Sequence, residues 1–185
     1  NAQIVMPDAN MDLALDGVLW GAFGTTGQRC TATSRLLLHE DIHDEFLEKL
    51  VERTRKLRLG NGLDEKTDVG PLINEAAADK FVEYIEIARQ EGDEVLVGGQ
   101  RAMSGDLARG YFVEPTILAG VRPRSRLARE EVFAAVLSVI RFRDLDEAIR
   151  INNEVEYGLS SSIYTNDVRT AFRAMEELDN GITYI

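Results

Sequence analysis

The sequence predicts an α/β fold, a layered and mostly parallel sheet with helices on both faces. Strand-like and helical segments alternate through the last third of the chain, as is typical of parallel sheets. The strand at 136–140 is apolar except for Ser138, as expected when helices cover both faces of a sheet. No linker or internal repeat divides the 185 residues, so we expect one domain over 1–185.

Each element follows from a local pattern. The predicted strands cover residues 2–6, 35–39, 94–97, 111–118, 136–142, 159–164 and 181–185. Pro115 interrupts the fourth strand, which indicates a bend or a sheet edge. Helical spacing of apolar residues predicts helices that start at polar caps, namely Asp8 or Asn10, Asp41, Asn74 and Asp144. A further helix is predicted over 167–178. Gly92 is expected to end the third helix.

The net charge of the chain and its lack of long apolar runs argue against two classes of binding partner. The net charge is −11, with 32 acidic and 21 basic residues, which argues against nucleic acid as a partner. The densest basic stretch, Arg122 to Arg129, lacks interleaved aromatic residues and is predicted to be a solvated loop. No apolar run approaches the roughly 20 residues of a membrane-spanning helix, so no membrane partner is expected.

Cys30 is the only cysteine of the chain. A single cysteine excludes an internal disulfide and favours a cytoplasmic location. With only His39 and His43 as further nitrogen or sulfur ligands, no metal site is expected. Cys30 lies in the small and polar segment 26–32, at a bend or at the start of a short helix. From the residues alone, an exposed nucleophile and a buried core cysteine both remain open.

Four ordered segments resemble the NAD(P)-dependent aldehyde dehydrogenase superfamily. Gly27-Gln28-Arg29-Cys30 resembles its cysteine signature, and Arg129-Glu130-Glu131-Val132-Phe133 resembles its second signature. Two further segments match in the correct order: 110–116 (GYFVEPT) and 152–160, which holds Asn152-Asn153 and Tyr157-Gly158-Leu159-Ser160. The resemblance covers nearly the whole chain and implies the catalytic-domain fold of that family.

The resemblance also implies a role for three residues. Cys30 would attack the aldehyde to form a thiohemiacetal and then a thioester, whose hydrolysis yields a carboxylic acid. Glu131 would hydrogen-bond the ribose on the nicotinamide side of NAD or NADP, and Phe133 would pack against the nicotinamide. Arg29 is expected to face solvent and is left out of the site, because the family tolerates many residues there.

The chain also departs from the family pattern. The Gly-Pro that usually follows the phenylalanine is replaced by Ala134-Ala135, which puts the local turn and the placing of Phe133 in question. The family's general base would precede Asn1, and no G-x-G-x-x-G fingerprint occurs. We therefore expect a catalytic domain truncated at both ends. The cofactor-binding domain and the C-terminal oligomerisation segment of a homo-oligomer would lie outside it, and the isolated chain would lack turnover.

Two other functions remain open from the sequence. A relative could use the same cysteine to form an acyl-CoA or to reduce an acyl phosphate. Only the general base upstream of Asn1 would distinguish these reactions from aldehyde oxidation to an acid. A non-catalytic α/β module is the third hypothesis, and it requires Cys30 to be a buried core residue.

Overall fold

The computed structural model, which describes residues 1–185, has a seven-stranded sheet at its centre. The strands are β1 (Ala2–Val5), β2 (Arg35–His39), β3 (Glu94–Val97), β4 (Thr116–Ala119), β5 (Val136–Phe142), β6 (Ser160–Tyr164) and β7 (Ile182–Tyr184). Their order across the sheet is β3-β4-β5-β2-β1-β6-β7, and only the β3–β4 pair is antiparallel. The predicted α/β fold with a mostly parallel sheet is confirmed.

Both faces of the sheet are covered at its centre. Leu36, Leu37 and Leu38 are consecutive in β2, and each has an exposed fraction of 0%. Because successive side chains of a strand point to opposite faces, this burial requires packed elements on both sides. Burial of one such leucine stabilises the fold by about 2 kcal/mol.

Most of the helix starts agree with the sequence prediction. The six α-helices are α1 (Met11–Phe23), α2 (His43–Thr54), α3 (Glu75–Glu91), α4 (Arg126–Arg129), α5 (Leu145–Asn153) and α6 (Val168–Glu177), and Gly105–Arg109 form a 3-10 helix. Three predicted caps accept a backbone N–H from the first turn of their helix: Asn10, Asn74 and Asp144. Asp167, predicted as the first residue of the last helix, caps it in the same way. Gly92 ends α3 with a φ of 89°, in the left-handed region. None of the helices has the length and apolar composition that crossing a membrane requires.

Asp41 does not cap α2, so this local prediction is wrong. The helix begins two residues later, and Ile42 occupies the cap position without a side-chain hydrogen bond. The carboxylate of Asp41 lies instead 3.5 Å from Nδ1 of His39.

The arginine-rich segment is not a loop throughout, which corrects a second prediction. Residues 126–129 form α4, whose first turn is capped because Oγ of Ser125 accepts the N–H of Ala128 at 3.3 Å. Leu127 and Ala128 are buried, while the arginines of the segment are exposed as expected.

Strand β4 is shorter than the predicted 111–118. It begins at Thr116, directly after Pro115, which has no N–H to donate to a neighbouring strand. Thr116 also accepts the N–H of Gly99 through its Oγ1, at 2.8 Å. The interruption that the sequence indicated at Pro115 is thus the start of the strand.

Four central strands bring distant parts of the sequence to one edge of the sheet. Strands β5, β2, β1 and β6 are neighbours and all run parallel. Their amino ends therefore lie along the same edge, and the segments that precede them in the chain come together there. Those segments contain Asn1, Cys30, Phe133 and Leu159.

Candidate active site

Cys30 lies in the turn between α1 and β2, and its side chain is exposed. Positive φ values at Thr26 (57°) and Gly27 (68°) bend the chain after α1. The residues around Cys30 form a turn and not a short helix, so that part of the expectation is wrong. The exposure of Cys30 also argues against the structural module, which requires a buried core cysteine.

Asn1 holds the carbonyl side of the Cys30 turn. Its Nδ2 donates to the carbonyl oxygens of Cys30, at 2.7 Å, and of Ala32, at 2.9 Å. Its Oδ1 accepts from the backbone N and from Oγ of Ser160, both at 3.1 Å. The side-chain amide thereby uses both donors and both acceptor sites. It ties the cysteine turn to the start of β6.

A second anchor comes from the loop that precedes α3. Nε2 of Gln28 donates to the carbonyl of Pro71 at 3.2 Å, and its Oε1 accepts the N–H of Ile73 at 2.9 Å. Oγ1 of Thr26 donates to the carbonyl of Gly70 at 3.2 Å. The cysteine turn is thus bound on both sides of Cys30.

Gly27 sets the approach of the cysteine turn to the segment that precedes β5. A Cβ built on Gly27 would lie 1.9 Å from the carbonyl oxygen of Ala134, far inside van der Waals contact. Only glycine permits this close approach and the left-handed φ together. The cysteine signature and the segment that directly follows the second signature are therefore in backbone contact.

The turn at Phe133 takes an uncommon backbone conformation. Phe133 has a φ of 60°, in the left-handed region that non-glycine residues seldom occupy. Ala134 and Ala135, which stand where the family usually has Gly-Pro, are both buried. The Phe133 side chain stays 42% exposed and lines the same cavity as Cys30. With Ala134 and Ala135 in place of Gly-Pro, the Phe133 ring therefore still faces the cavity.

One cavity of about 250 Å³ brings the three predicted site residues together, since Cys30, Glu131 and Phe133 all line it. Glu131 is exposed, and its carboxylate makes no hydrogen bond or ion pair within the chain. Its backbone carbonyl is held by Nζ of Lys80 at 2.6 Å. The segment is thus fixed through its backbone, and the carboxylate is left available to a ligand.

Three arginines line this cavity, Arg29, Arg35 and Arg129, and none of them was predicted as a site residue. Arg35 is 3% exposed and donates to the carbonyls of Ile151, at 2.9 Å, and Asn152, at 3.2 Å, at the end of α5. Burial lowers the pKa of Arg35 to about 10, which leaves it charged at neutral pH. Arg29 is exposed as expected, but it also lines the cavity next to Cys30.

The sequence held one overlooked signal for these residues. Asn1, Arg29 and Arg35 each lie shortly before a parallel strand or at its first residue. Parallel strands share an edge at their amino ends, so residues at those positions were candidates for one common site. No local sequence motif contains Asn1 or Arg35, so motifs alone did not predict them as site residues.

Glu130 anchors the second signature segment. Arg126 reaches both oxygens of its carboxylate at 2.9 Å, and the hydroxyl of Tyr84 donates to it at 2.6 Å. These hydrogen bonds from Arg126 and then Tyr84 hold the pKa of Glu130 at about 2, well below its usual value of 4.5. The carboxylate is therefore charged in the folded state at neutral pH.

We expect Glu130→Gln to reduce stability at neutral pH and to lose its effect in acid. A depressed folded-state pKa stabilises the fold above the unfolded pKa, and this contribution disappears as pH falls from about 4.5 towards 2. The side chain is 41% exposed, so solvent screening limits the difference at pH 7 to about 1 kcal/mol or less. Urea unfolding of both proteins across this pH range measures it. A difference that does not shrink in acid would contradict the assignment.

Comparison with known proteins identifies the family of the chain. The model of the Aldehyde dehydrogenase family matches residues 1–185. Betaine aldehyde dehydrogenase of Mesorhizobium japonicum is 42% identical over 182 residues, 98% of this chain and 37% of that protein. Alpha-ketoglutaric semialdehyde dehydrogenase of Bacillus subtilis is 37% identical over 185 residues, 100% of this chain and 38% of that protein.

The fold also matches solved structures. Betaine aldehyde dehydrogenase from Staphylococcus aureus, crystallised in complex with NAD+, superposes with a TM-score of 0.98 at 37% identity. The match covers 100% of this chain and 37% of that one. The chain thus spans little more than a third of the length of these relatives.

Proposed function

The chain belongs to the aldehyde dehydrogenase family, and from that premise we propose that it carries the nucleophile of an NAD(P)-dependent aldehyde oxidation. The observation that supports the proposal is the shared cavity of Cys30, Glu131 and Phe133. Residues 1–185 would form the catalytic domain of a longer enzyme, whose cofactor-binding and oligomerisation parts lie outside them.

Cys30 is the residue that forms the covalent bond. Its thiolate attacks the aldehyde carbon, a C–S bond forms, and the carbonyl oxygen becomes an oxyanion. The backbone N–H of Cys30 donates to no acceptor within the chain, so it is free to bind this oxyanion. With a cofactor bound to accept the hydride, the thiohemiacetal would become a thioester, and attack by water would then release the carboxylic acid and leave the thiol, which loses a proton to water to give the thiolate again.

Glu131 and Phe133 fit a bound nicotinamide nucleotide. The free carboxylate of Glu131 suits ribose hydroxyls, which donate hydrogen bonds to it. The exposed ring of Phe133 suits a planar heteroaromatic ring. When bound, the cofactor supplies the acceptor for the hydride. The residues of this chain hold its nicotinamide side only, so the proposal covers both NAD and NADP.

The partners follow from the same proposal. The substrate is a small aldehyde, and the longer enzyme is a homo-oligomer that binds neither nucleic acid nor membrane. A reducing cytoplasm keeps an exposed thiol such as Cys30 free of disulfides, and we propose that location.

Glu131→Gln tests the proposal in the full-length enzyme that contains this chain. We expect kcat/KM for the cofactor to fall about tenfold to a hundredfold, because a hydrogen bond to a charged group is lost. Glu83→Gln is the matched control, since Glu83 is also exposed but lies on α3 outside the cavity. Carboxylate release without CoA or phosphate separates this reaction from acyl-CoA formation. Unchanged cofactor kinetics in Glu131→Gln would overturn the cofactor assignment.

A further inference from the structure

We propose that Asn1 is a positioning residue for the nucleophile, and that its side-chain amide holds the Cys30 turn in the orientation that attack on the aldehyde requires. The inference rests on the proposed function and adds a residue to it. In this role Asn1 acts through the backbone of Cys30 and takes no part in bond formation.

The carbonyl groups of the Cys30 turn depend on Asn1 for their hydrogen bonds. No backbone N–H of the chain donates to the carbonyl oxygen of Cys30 or to that of Ala32. Nδ2 of Asn1 donates to both, at 2.7 Å and 2.9 Å, and it is the only donor of the chain that reaches either of them. Within residues 28–32 the turn itself supplies one backbone hydrogen bond, from the N–H of Ala32 to the carbonyl of Arg29. Loss of the amide would therefore leave Cys30 on a weakly held segment.

Asn1 is itself fixed by the sheet. Its backbone carbonyl accepts the N–H groups of Ser34 and Arg35, at 3.3 Å and 3.1 Å, and its Oδ1 accepts from the N–H and the hydroxyl of Ser160. These bonds join Asn1 to the starts of β2 and β6, the two neighbours of β1. None of them uses the backbone nitrogen of Asn1, which forms a peptide bond in a longer chain. The centre of the sheet thereby sets the place of Cys30.

The pairing with Ser160 also fixes the orientation of the amide. The backbone N–H of Ser160 can only donate, so it requires the oxygen of the Asn1 amide on its side. The nitrogen is then turned towards the carbonyl oxygens of Cys30 and Ala32, which can only accept. The hydrogen bonds at both ends of the amide therefore agree on one orientation. No other natural side chain of this size offers two donors and an acceptor.

The orientation of Cys30 matters because two of its groups act on the same aldehyde. In the proposed reaction the sulfur attacks the carbon while the backbone N–H, which has no acceptor within the chain, binds the oxyanion. The anchors at Thr26 and Gln28 hold the turn before Cys30, and Asn1 holds it after Cys30. If one side were released, the sulfur and the N–H would no longer be placed together. A shift of about 1 Å in such a geometry can lower a rate about a hundredfold.

Asn1→Ala in the full-length enzyme tests this role. We expect kcat/KM for the aldehyde to fall about tenfold to a hundredfold, because the turn is released. The KM for the cofactor should stay within about twofold, since neither Glu131 nor Phe133 is hydrogen-bonded to Asn1. The rate of alkylation of Cys30 by iodoacetamide should stay within about threefold, because a small reagent needs only an exposed thiol and no aligned N–H.

Two further variants separate positioning from stability. Asn180→Ala is the matched control, because Oδ1 of Asn180 also accepts two side-chain hydrogen bonds, from Asn152 at 2.8 Å and Ser161 at 2.7 Å, but Asn180 does not line the cavity. It should lower the free energy of unfolding, as Asn1→Ala does, and leave kcat/KM unchanged. Asn1→Asp keeps the size of the side chain and the acceptor for Ser160, but it removes both donors. It should lower kcat/KM at least as much as Asn1→Ala does.

The outcomes distinguish this inference from the proposed function. If Asn1→Ala does not fold, Asn1→Asp is compared with the wild type in its place. A kcat/KM within about twofold of the wild-type value would overturn the positioning role, and so would an equal fall in the alkylation rate, which would assign the effect to the thiol itself. In both cases, acylation of Cys30 in the wild-type enzyme would leave the proposed function standing. A wild-type enzyme that turns over without acylation of Cys30 would overturn both.

Discussion

Cys30→Ser is expected to lower kcat of the full-length enzyme by at least about a thousandfold. Covalent catalysis depends on the sulfur atom, since a serine hydroxyl in the same turn has no neighbouring base of this chain to activate it. Neither histidine lines the cavity: His43 is held by Asp44 and Arg141, and the ring of His39 packs edge-on against Phe142. Steady-state kinetics of aldehyde oxidation measure the loss.

The same substitution should leave the fold intact. Cys30 is exposed, and exposed substitutions usually change the free energy of unfolding by about 0.5 kcal/mol or less. Urea unfolding of the chain checks this, so that lost activity can be ascribed to chemistry. Retention of more than about a tenth of wild-type kcat in a correctly folded Cys30→Ser protein would refute Cys30 as the nucleophile.

Gly27→Ala is expected to destabilise the chain by about 2–5 kcal/mol. The new Cβ would overlap the carbonyl oxygen of Ala134, which is backbone and has little room to move. The left-handed φ of 68° adds about 1–2 kcal/mol of strain for a non-glycine residue. Any relief must separate the cysteine turn from the Phe133 segment, so activity should fall as well.

Gly120→Ala isolates the contribution of the contact. Gly120 has a similar φ of 72°, but a Cβ built there has nothing within 4 Å. We expect a loss of only about 1–2 kcal/mol from the backbone strain. Urea unfolding compares the two variants. Equal losses of unfolding free energy in the two variants would mean that the close approach of Gly27 to Ala134 does not affect stability.

The sequence predicted most of the sheet and its helices because their signals are local. Strands β2, β3 and β5 have the predicted bounds, and Asn74 and Gly92 begin and end α3 as expected. Apolar spacing and helix caps act over a few residues, so they can be read without the tertiary structure. Asp41 failed as a cap because a side-chain cap depends on where the first helical turn begins.

The site was predicted only in part, for a physical reason. Cys30, Glu131 and Phe133 were found through motif resemblance, and the structure brings them to one cavity. Asn1 and Arg29 are positioned by tertiary contacts. The Asn1 side-chain amide donates a hydrogen bond to the carbonyl of Cys30, and the Arg29 guanidinium stacks on Trp20. Such contacts follow from the order of strands in the sheet, which local patterns do not encode.

The covalent intermediate on Cys30 is the most direct test of the account. The full-length enzyme is mixed with an aldehyde and oxidised cofactor and quenched in acid, and its peptides are analysed by mass spectrometry. We expect the peptide that contains Cys30 to gain the acyl group of the aldehyde as a thioester, and to gain nothing when the cofactor is omitted. An enzyme that turns over while Cys30 stays unmodified, or that carries the acyl group on another side chain, would contradict the central claim.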